Sequence, residues 1–335
     1  MFELLQEGRS YQKTLDLLKG AIDIHVHAGP HLKSSPRSVT PIQAALQARD
    51  AGMSAIVFMD VFEMSNGTSQ LVNEAVPDFQ TFGGMNLNTV YGGMNPRAVK
   101  TSLYYGDGAK YVAFGTHSTH WMTSREGQYI DGEFKEFWKT DPKFRKEELG
   151  RSIKIPIDEA PTPELDEILR LIASNQDVYM ITGHVSADEA LRLTELGVEY
   201  GIEKMVVSST VFKIASMDQL QKMVENGAYI EYTLAAYGHS SGTRKTDYYV
   251  EIEYASDSIP SNYPKTSIKT VAEQTEELEA DNCIMATDFG VYTLPPPVEG
   301  FREFIALMLD LGVSDESILN MINKNPRKLL GLPLS

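Results

Sequence analysis

The chain is nearly without thiols: its 335 residues include a single cysteine, Cys283. An intrachain disulfide and a cysteine-rich zinc module are therefore both excluded, and any metal must be held by nitrogen and oxygen. No apolar run approaches the roughly 20 residues that cross a bilayer, so no membrane partner is expected. Cations are scarce beside anions, with 30 Lys and Arg against 46 Asp and Glu for a formal charge of -16. A broad nucleic-acid surface needs clustered cations to displace phosphate counterions, which disfavours that class of partner. Internal repeats and low-complexity tracts are missing too. At the N-terminus, MFELLQEGRSYQKTLDLLKG mixes charges through an amphipathic pattern, where a secretory signal would set basic residues before an uninterrupted apolar stretch. This predicts a helix within residues 1–20 and a cytoplasmic location.

What is present is an alternation of short, β-branched apolar runs with longer helical patterns. Eight such runs begin at Ala21, Ser54, Phe79, Lys110, Asp177, Lys204, Ala228 and Cys283. Between them lie stretches such as TPIQAALQARDAGM, TPELDEILRLIASNQ, SADEALRLTELGVEYG and SMDQLQKMVENG, each opening with a Ser or Thr suited to cap a first turn. Parallel sheets with helical crossovers produce this pattern. The expectation is one α/β domain over residues 1–335, a TIM-like (β/α)8 barrel with inserted loops after strands 4 and 7. A doubly wound open sheet would give much the same local signals. The two long connections, 118–162 and 238–266, are either walls of a substrate pocket or surface excursions that contact another subunit.

His25 and His27 are one residue apart within the first run, and a two-residue strand period turns both imidazoles to the same side. Gly29 and Pro30 end that strand, at the face where barrel active sites assemble. His184 ends the fifth run in ITGHVS and Asp288 the eighth in IMATDFG. Any one of these is as readily a structural side chain, but four potential ligands at the ends of strands one, five and eight point to a metal site. Imidazole and carboxylate suit Zn, Mn, Fe or Ni; one Zn is the default.

Taken together, DIHVHAGP, TGHVS, ATDFG and the terminal INKNPRKLLGL resemble the amidohydrolase superfamily across nearly the whole chain. GGMNLNTVYGGMNPRAV, TGHVSADEAL and GAYIEYT resemble a branch of amidohydrolase-like proteins of unknown function. The resemblance implies a distorted barrel, a divalent metal that activates water, and a homo-oligomer. It also exposes departures. Binuclear members bridge two metals with a strand-four Lys or Glu, whereas Lys110 lies at the wrong end of its strand. The strand-six histidine position is occupied by Ser208, Ser209 and Thr210. What survives resembles the mononuclear pattern of the superfamily's deaminases and decarboxylases.

The function expected on this basis is hydrolysis of an amide, cyclic amide, ester or lactone in a small molecule, with Asp288 orienting water and accepting its proton. His117 has three readings: a replacement ligand, an acid-base group, or a loop imidazole bonded to backbone. Asp23 either fixes an imidazole tautomer or caps the strand. Arg97, Lys33 and Arg37 are candidates for a substrate carboxylate, and each taken singly is as readily a solvated cation. His120, His31 and His239 are weaker substrate candidates. Of Glu231 and Tyr232 at the end of strand seven, only one can face inward. Two rivals stand beside this reading: a metal-dependent decarboxylase on the same ligands, and a non-catalytic barrel with a degenerate site.

Overall fold

The computed structural model describes residues 8–31, 36–124, 128–130, 133–135, 147, 149–235, 268–291 and 294–334. The N-terminal helix runs Gly8–Leu18. Helices start where short polar side chains can satisfy their orphan amides. Thr40, Ser186 and Ser216 each accept from the backbone three residues on, while Gln43, Glu189 and Gln219 reach back to the cap amide. Thr162 accepts from the Leu165 amide. Each such cap stabilises its helix by about 1 kcal/mol. Gly52, Gly201 and Gly227 close helices at φ of 81°, 75° and 87°, the left-handed region that lacks a penalty only for glycine.

The strands are short: β1 Ile22–Val26, β2 Ala55–Phe58, β3 Gln80–Phe82, β4 Gly84–Asn86, β5 Tyr111–Ala113, β6 Gln128–Ile130, β7 Glu133–Lys135, β8 Tyr179–Ile181, β9 Met205–Val207, β10 Ala228–Thr233 and β11 Cys283–Ala286. Two parallel sheets result, in the orders β1-β2-β3 and β4-β5-β8-β9-β10-β11, beside an antiparallel β6-β7 pair. The third predicted run is thus two strands. Gly83 breaks it, because a Cβ there would lie 2.3 Å from the Ser65 carbonyl carbon, so the crossover helix Ser65–Ala75 presses against the strand.

Beyond the ends of β1 and β11 the first and last strands also meet. The His27 amide donates to the Phe289 carbonyl and the Asp288 amide to the His25 carbonyl, both at 2.8 Å. An inner buried cluster includes Ile22, Ile24, Val57, Tyr111, Tyr179, Ile181, Val206, Ile284 and Ala286. Leu329 and Leu330, from the terminal helix Asn325–Leu330, join it. Arg327 holds that helix in place, its guanidinium reaching the Gly20 and Pro333 carbonyls and the Ser54 hydroxyl. A larger cluster fills the space between strands and helices, with Val26, Ile56, Phe58 and Tyr232 in it. The Lys110 ammonium stands 3.5 Å from the Leu330 carbonyl, at the opposite end of its strand from His184.

In 118–162, the described residues hold the Thr119-capped turn His120–Thr123 and the β6-β7 pair. The other expected insertion, 238–266, lies outside the described residues, as do Lys33 and His239. No helix among the described residues is long and apolar enough to cross a membrane.

Candidate metal centre

A simple alternation would turn Asp23, His25 and His27 to one side, but the β1-β2 register slips between Asp23 and Val26. This bulge leaves Ile22 and Ile24 in the inner cluster and still aims His25 and His27 at strand β11; bulges beside active sites commonly re-aim side chains in this way. Asp23 bonds no imidazole nitrogen and takes the second role expected of it, a buried cap. Its carboxylate accepts from the Thr287 hydroxyl at 2.6 Å and from the Thr287 and His25 amides at 3.1 Å, tying β1 to the last strand. Burial pushes its pKa up to about 7, against the pull of those bonds.

Asp288 sits at φ 56°, a conformation that costs a non-glycine residue about 1–2 kcal/mol. Its Oδ1 lies 2.7 Å from His27 Nε2 and 3.3 Å from His25 Nε2. The outer nitrogens are committed elsewhere: His27 Nδ1 to the Met59 carbonyl at 2.7 Å, and His25 Nδ1 to Glu231 Oε1 at 2.9 Å. A carbonyl only accepts, so His27 Nδ1 carries the proton, and in the neutral ring Nε2 is a lone pair. With both rings neutral, two imidazole lone pairs and a carboxylate oxygen would converge, acceptor on acceptor, and either a proton on His25 or a cation among the three resolves the conflict. One ligand atom from each of the three residues lies within 4.8 Å of the others. The donor set fits a divalent ion held by nitrogen and oxygen.

The electrostatics show the same demand for positive charge, which a proton on His25 meets when no cation does. Burial disfavours the Asp288 carboxylate, yet the His25 and His27 rings outweigh it and hold the group below the ordinary range. Burial opposes protonation of His25, but Asp288 and Glu231 raise its pKa to about 9. His27 is pushed down by burial and by the nearby Arg37 charge. His184 falls to about 3 through burial and the neighbouring His117.

His184 is not in the tight triplet. Its Nδ1 is buried with no hydrogen-bond partner, and its ring stands 6.1 Å from that of exposed His117. Gly183 at φ 70° makes this turn possible, since a Cβ there would come 2.3 Å from the Gly115 carbonyl oxygen. Arg37 bridges to Val291, three residues past Asp288, and the adjacent Ser38 amide bonds the Gly290 carbonyl at 2.7 Å. Lys213, which the sequence did not single out, is close enough to His184 for its charge to oppose protonation there.

Two expected contacts are corrected. Tyr232 faces away from the site: it is fully buried, with its ring 4.9 Å from Phe212 in the outer cluster, because Glu231 takes the inward position on β10. Arg97 is exposed in a surface depression with Lys100, Thr101, Tyr104 and Tyr105, away from the triplet. His120 bonds the Ser152 hydroxyl through Nδ1 at 3.1 Å, and His31 packs on Phe62.

Residues 20–231 match a family described as a family of unknown function (DUF6282). No curated protein matches the chain. Among solved structures it is similar to an amidohydrolase from Burkholderia multivorans with bound zinc, at 9% identity and a TM-score of 0.54, covering 93% of this chain and 99% of that one. An amidohydrolase from Pseudomonas aeruginosa gives 11% identity, a TM-score of 0.53 and coverage of 96% and 98%. A protein assigned as a 2-pyrone-4,6-dicarboxylic acid hydrolase from Pseudomonas putida gives 13%, 0.53, and coverage of 94% and 99%. At such identities the likeness is one of fold. The chain thus belongs to this family of unknown function, and its parallel α/β architecture is similar to that of solved amidohydrolases.

Proposed function

We propose that this protein is a metal-dependent hydrolase acting on an amide, cyclic amide, ester or lactone carbonyl of a small molecule. The observation that carries the reading is the convergence of His25 Nε2, His27 Nε2 and Asp288 Oδ1, with both outer imidazole nitrogens already held. The shared fold supports it, as does zinc in one structural relative. In this reading the strands of the two parallel sheets close into a barrel, with β3 and β4 as one interrupted strand and the β1 and β11 backbones joined as described, and the catalytic face carries the triplet.

His25, His27 and Asp288 would hold the ion, with His184 as the fourth ligand through its unpartnered buried nitrogen. Zn is the default on this donor set, with Mn, Fe or Ni also suited. A bound divalent ion supplies Lewis acidity toward a carbonyl oxygen and lowers the pKa of water. Asp288, an acceptor held low in pKa, orients the attacking water and takes its proton. His117, exposed beside His184, delivers a proton to the departing nitrogen or oxygen. Arg37, fixed beside the triplet by its bridge to Val291, anchors a substrate carboxylate. Closed point-group homo-oligomers are the common assembly for such enzymes, and one is proposed here.

Elemental analysis of purified and Zn-reconstituted protein is the first test: about one ion per chain supports the site, and none after reconstitution removes it. Hydrolysis then requires oxygen-18 from solvent in a product. Carbon dioxide release without consumption of water would replace it with the decarboxylase.

A further inference from the structure

We propose that Glu231 is a positioning residue that fixes the tautomer of His25, and that the Ser209 backbone amide makes a carboxylate obligatory there. The inference rests on the metal-dependent reading and concerns a residue outside the ligand set. Glu231 is 1% exposed. Its two oxygens are divided between two elements: Oε1 meets His25 Nδ1 at 2.9 Å, and Oε2 accepts from the Ser209 amide at 3.1 Å. Ser209 lies just past β9, so one side chain on β10 links the loop after β9 to the first strand of the fold.

The consequence follows from donor and acceptor counting. An ionised carboxylate accepts at both oxygens, so in the neutral ring of His25 it is Nδ1 that carries the proton, and Nε2 is left as the lone pair facing Asp288. Glutamine has the same shape but cannot serve both neighbours. With its oxygen toward His25, its NH2 meets the Ser209 N–H, donor against donor, in a site without water access to relieve it. With its oxygen toward Ser209, its NH2 meets His25 Nδ1 and forces the proton onto Nε2, where it blocks ligation. A carboxylate also raises the basicity of the imidazole it orients, and loss of such an outer partner typically lowers metal affinity about 10–100-fold. The Ser208–Thr210 segment, which lacks a ligand of its own, thereby still acts on the metal centre through its backbone.

The test uses the full chain with Glu231→Gln. Zn2+ affinity is measured by competition with a chromophoric chelator, and ring tautomers in metal-free protein by 15N-histidine NMR at alkaline pH, where the rings are neutral. Expected are a 10–100-fold loss of Zn2+ affinity and transfer of the His25 proton from Nδ1 to Nε2, with circular dichroism unchanged. Glu231→Ala provides the second variant, in which added formate, filling the vacated space, restores Zn2+ affinity. Weaker affinity with the tautomer unmoved, or Glu231→Gln binding like the parent, would overturn the proposal. If the parent binds no Zn2+, the hydrolase reading fails, while the tautomer shift in metal-free protein still decides the role of Glu231.

Discussion

The Cα of Gly290 passes so close to His27 that a Cβ on Gly290 would stand 1.7 Å from the His27 carbonyl oxygen. The turn after Asp288 is therefore packed directly on the backbone of a candidate ligand. Gly290→Ala must displace one of the two, and its φ of 128° is unfavourable for any side chain. The expected loss is about 3 kcal/mol, at the upper end for a strained backbone position, together with weakened Zn2+ binding. Gly201→Ala provides the contrast: at φ 75° but with nothing within 4 Å, it should cost about 1 kcal/mol and leave metal binding alone. Chemical denaturation with and without Zn2+ measures both.

Asp288→Asn and His25→Ala should each lower Zn2+ affinity by more than about 100-fold, beyond the range of an outer-shell change. His184→Ala should lower it by a comparable factor. His120→Ala, whose imidazole is bonded to Ser152 on a neighbouring loop, should bind like the parent. Metal retained equally in His184→Ala and His120→Ala would remove His184 from the ligand set.

Arg37→Met should selectively impair substrates that bear a carboxylate. A charge-assisted hydrogen bond contributes about 1.5–3 kcal/mol, which corresponds to roughly 10–100-fold in kcat/KM. A series of lactones and cyclic amides with and without a carboxylate gives the readout, and an equal loss across the series would place the carboxylate contact elsewhere.

Cys283 is fully buried, and burial pushes its thiol pKa up to about 12. Little thiolate exists in the native state below that value, so alkylation by iodoacetamide should remain slow from pH 7 to about pH 10 and become fast on denaturation. The sign for stability follows: the unfolded thiol ionises first, so the contribution from keeping Cys283 neutral is complete below about pH 9 and is lost as pH rises toward 12. Mass-spectrometric labelling across this range checks the reactivity directly.

Much of the fold was legible because local signals agree with tertiary demands. Thr40, Thr162, Ser186 and Ser216 cap helices as their sequence contexts predict, and the eight apolar runs supply the strands of the two parallel sheets. INKNPRKLLGL, noted for its resemblance, has a structural role: Arg327 grips the first strand's entry and Leu329 and Leu330 fill the inner cluster. The site was legible less evenly. His25, His27 and Asp288 meet as their strand positions imply, but the bulge in β1 breaks the alternation that would have set Asp23 beside them. Periodicity cannot choose between Glu231 and Tyr232, because that depends on the register of β10 against β9 and β11. Lys213 and Ser209 act through position alone, one by charge and one by a backbone amide, and neither leaves a sequence motif.

His27 and Asp288 are 261 residues apart in sequence. A chain emerging from the ribosome holds its imidazole pair for most of its synthesis without the carboxylate that completes the triplet. Contacts of such separation form late, since loop closure precedes any gain from them. On the proposed metal-dependent reading, loading is a post-synthetic event, and a chain cut short before Cys283 would offer two imidazoles to any borderline divalent ion without the carboxylate that completes the set.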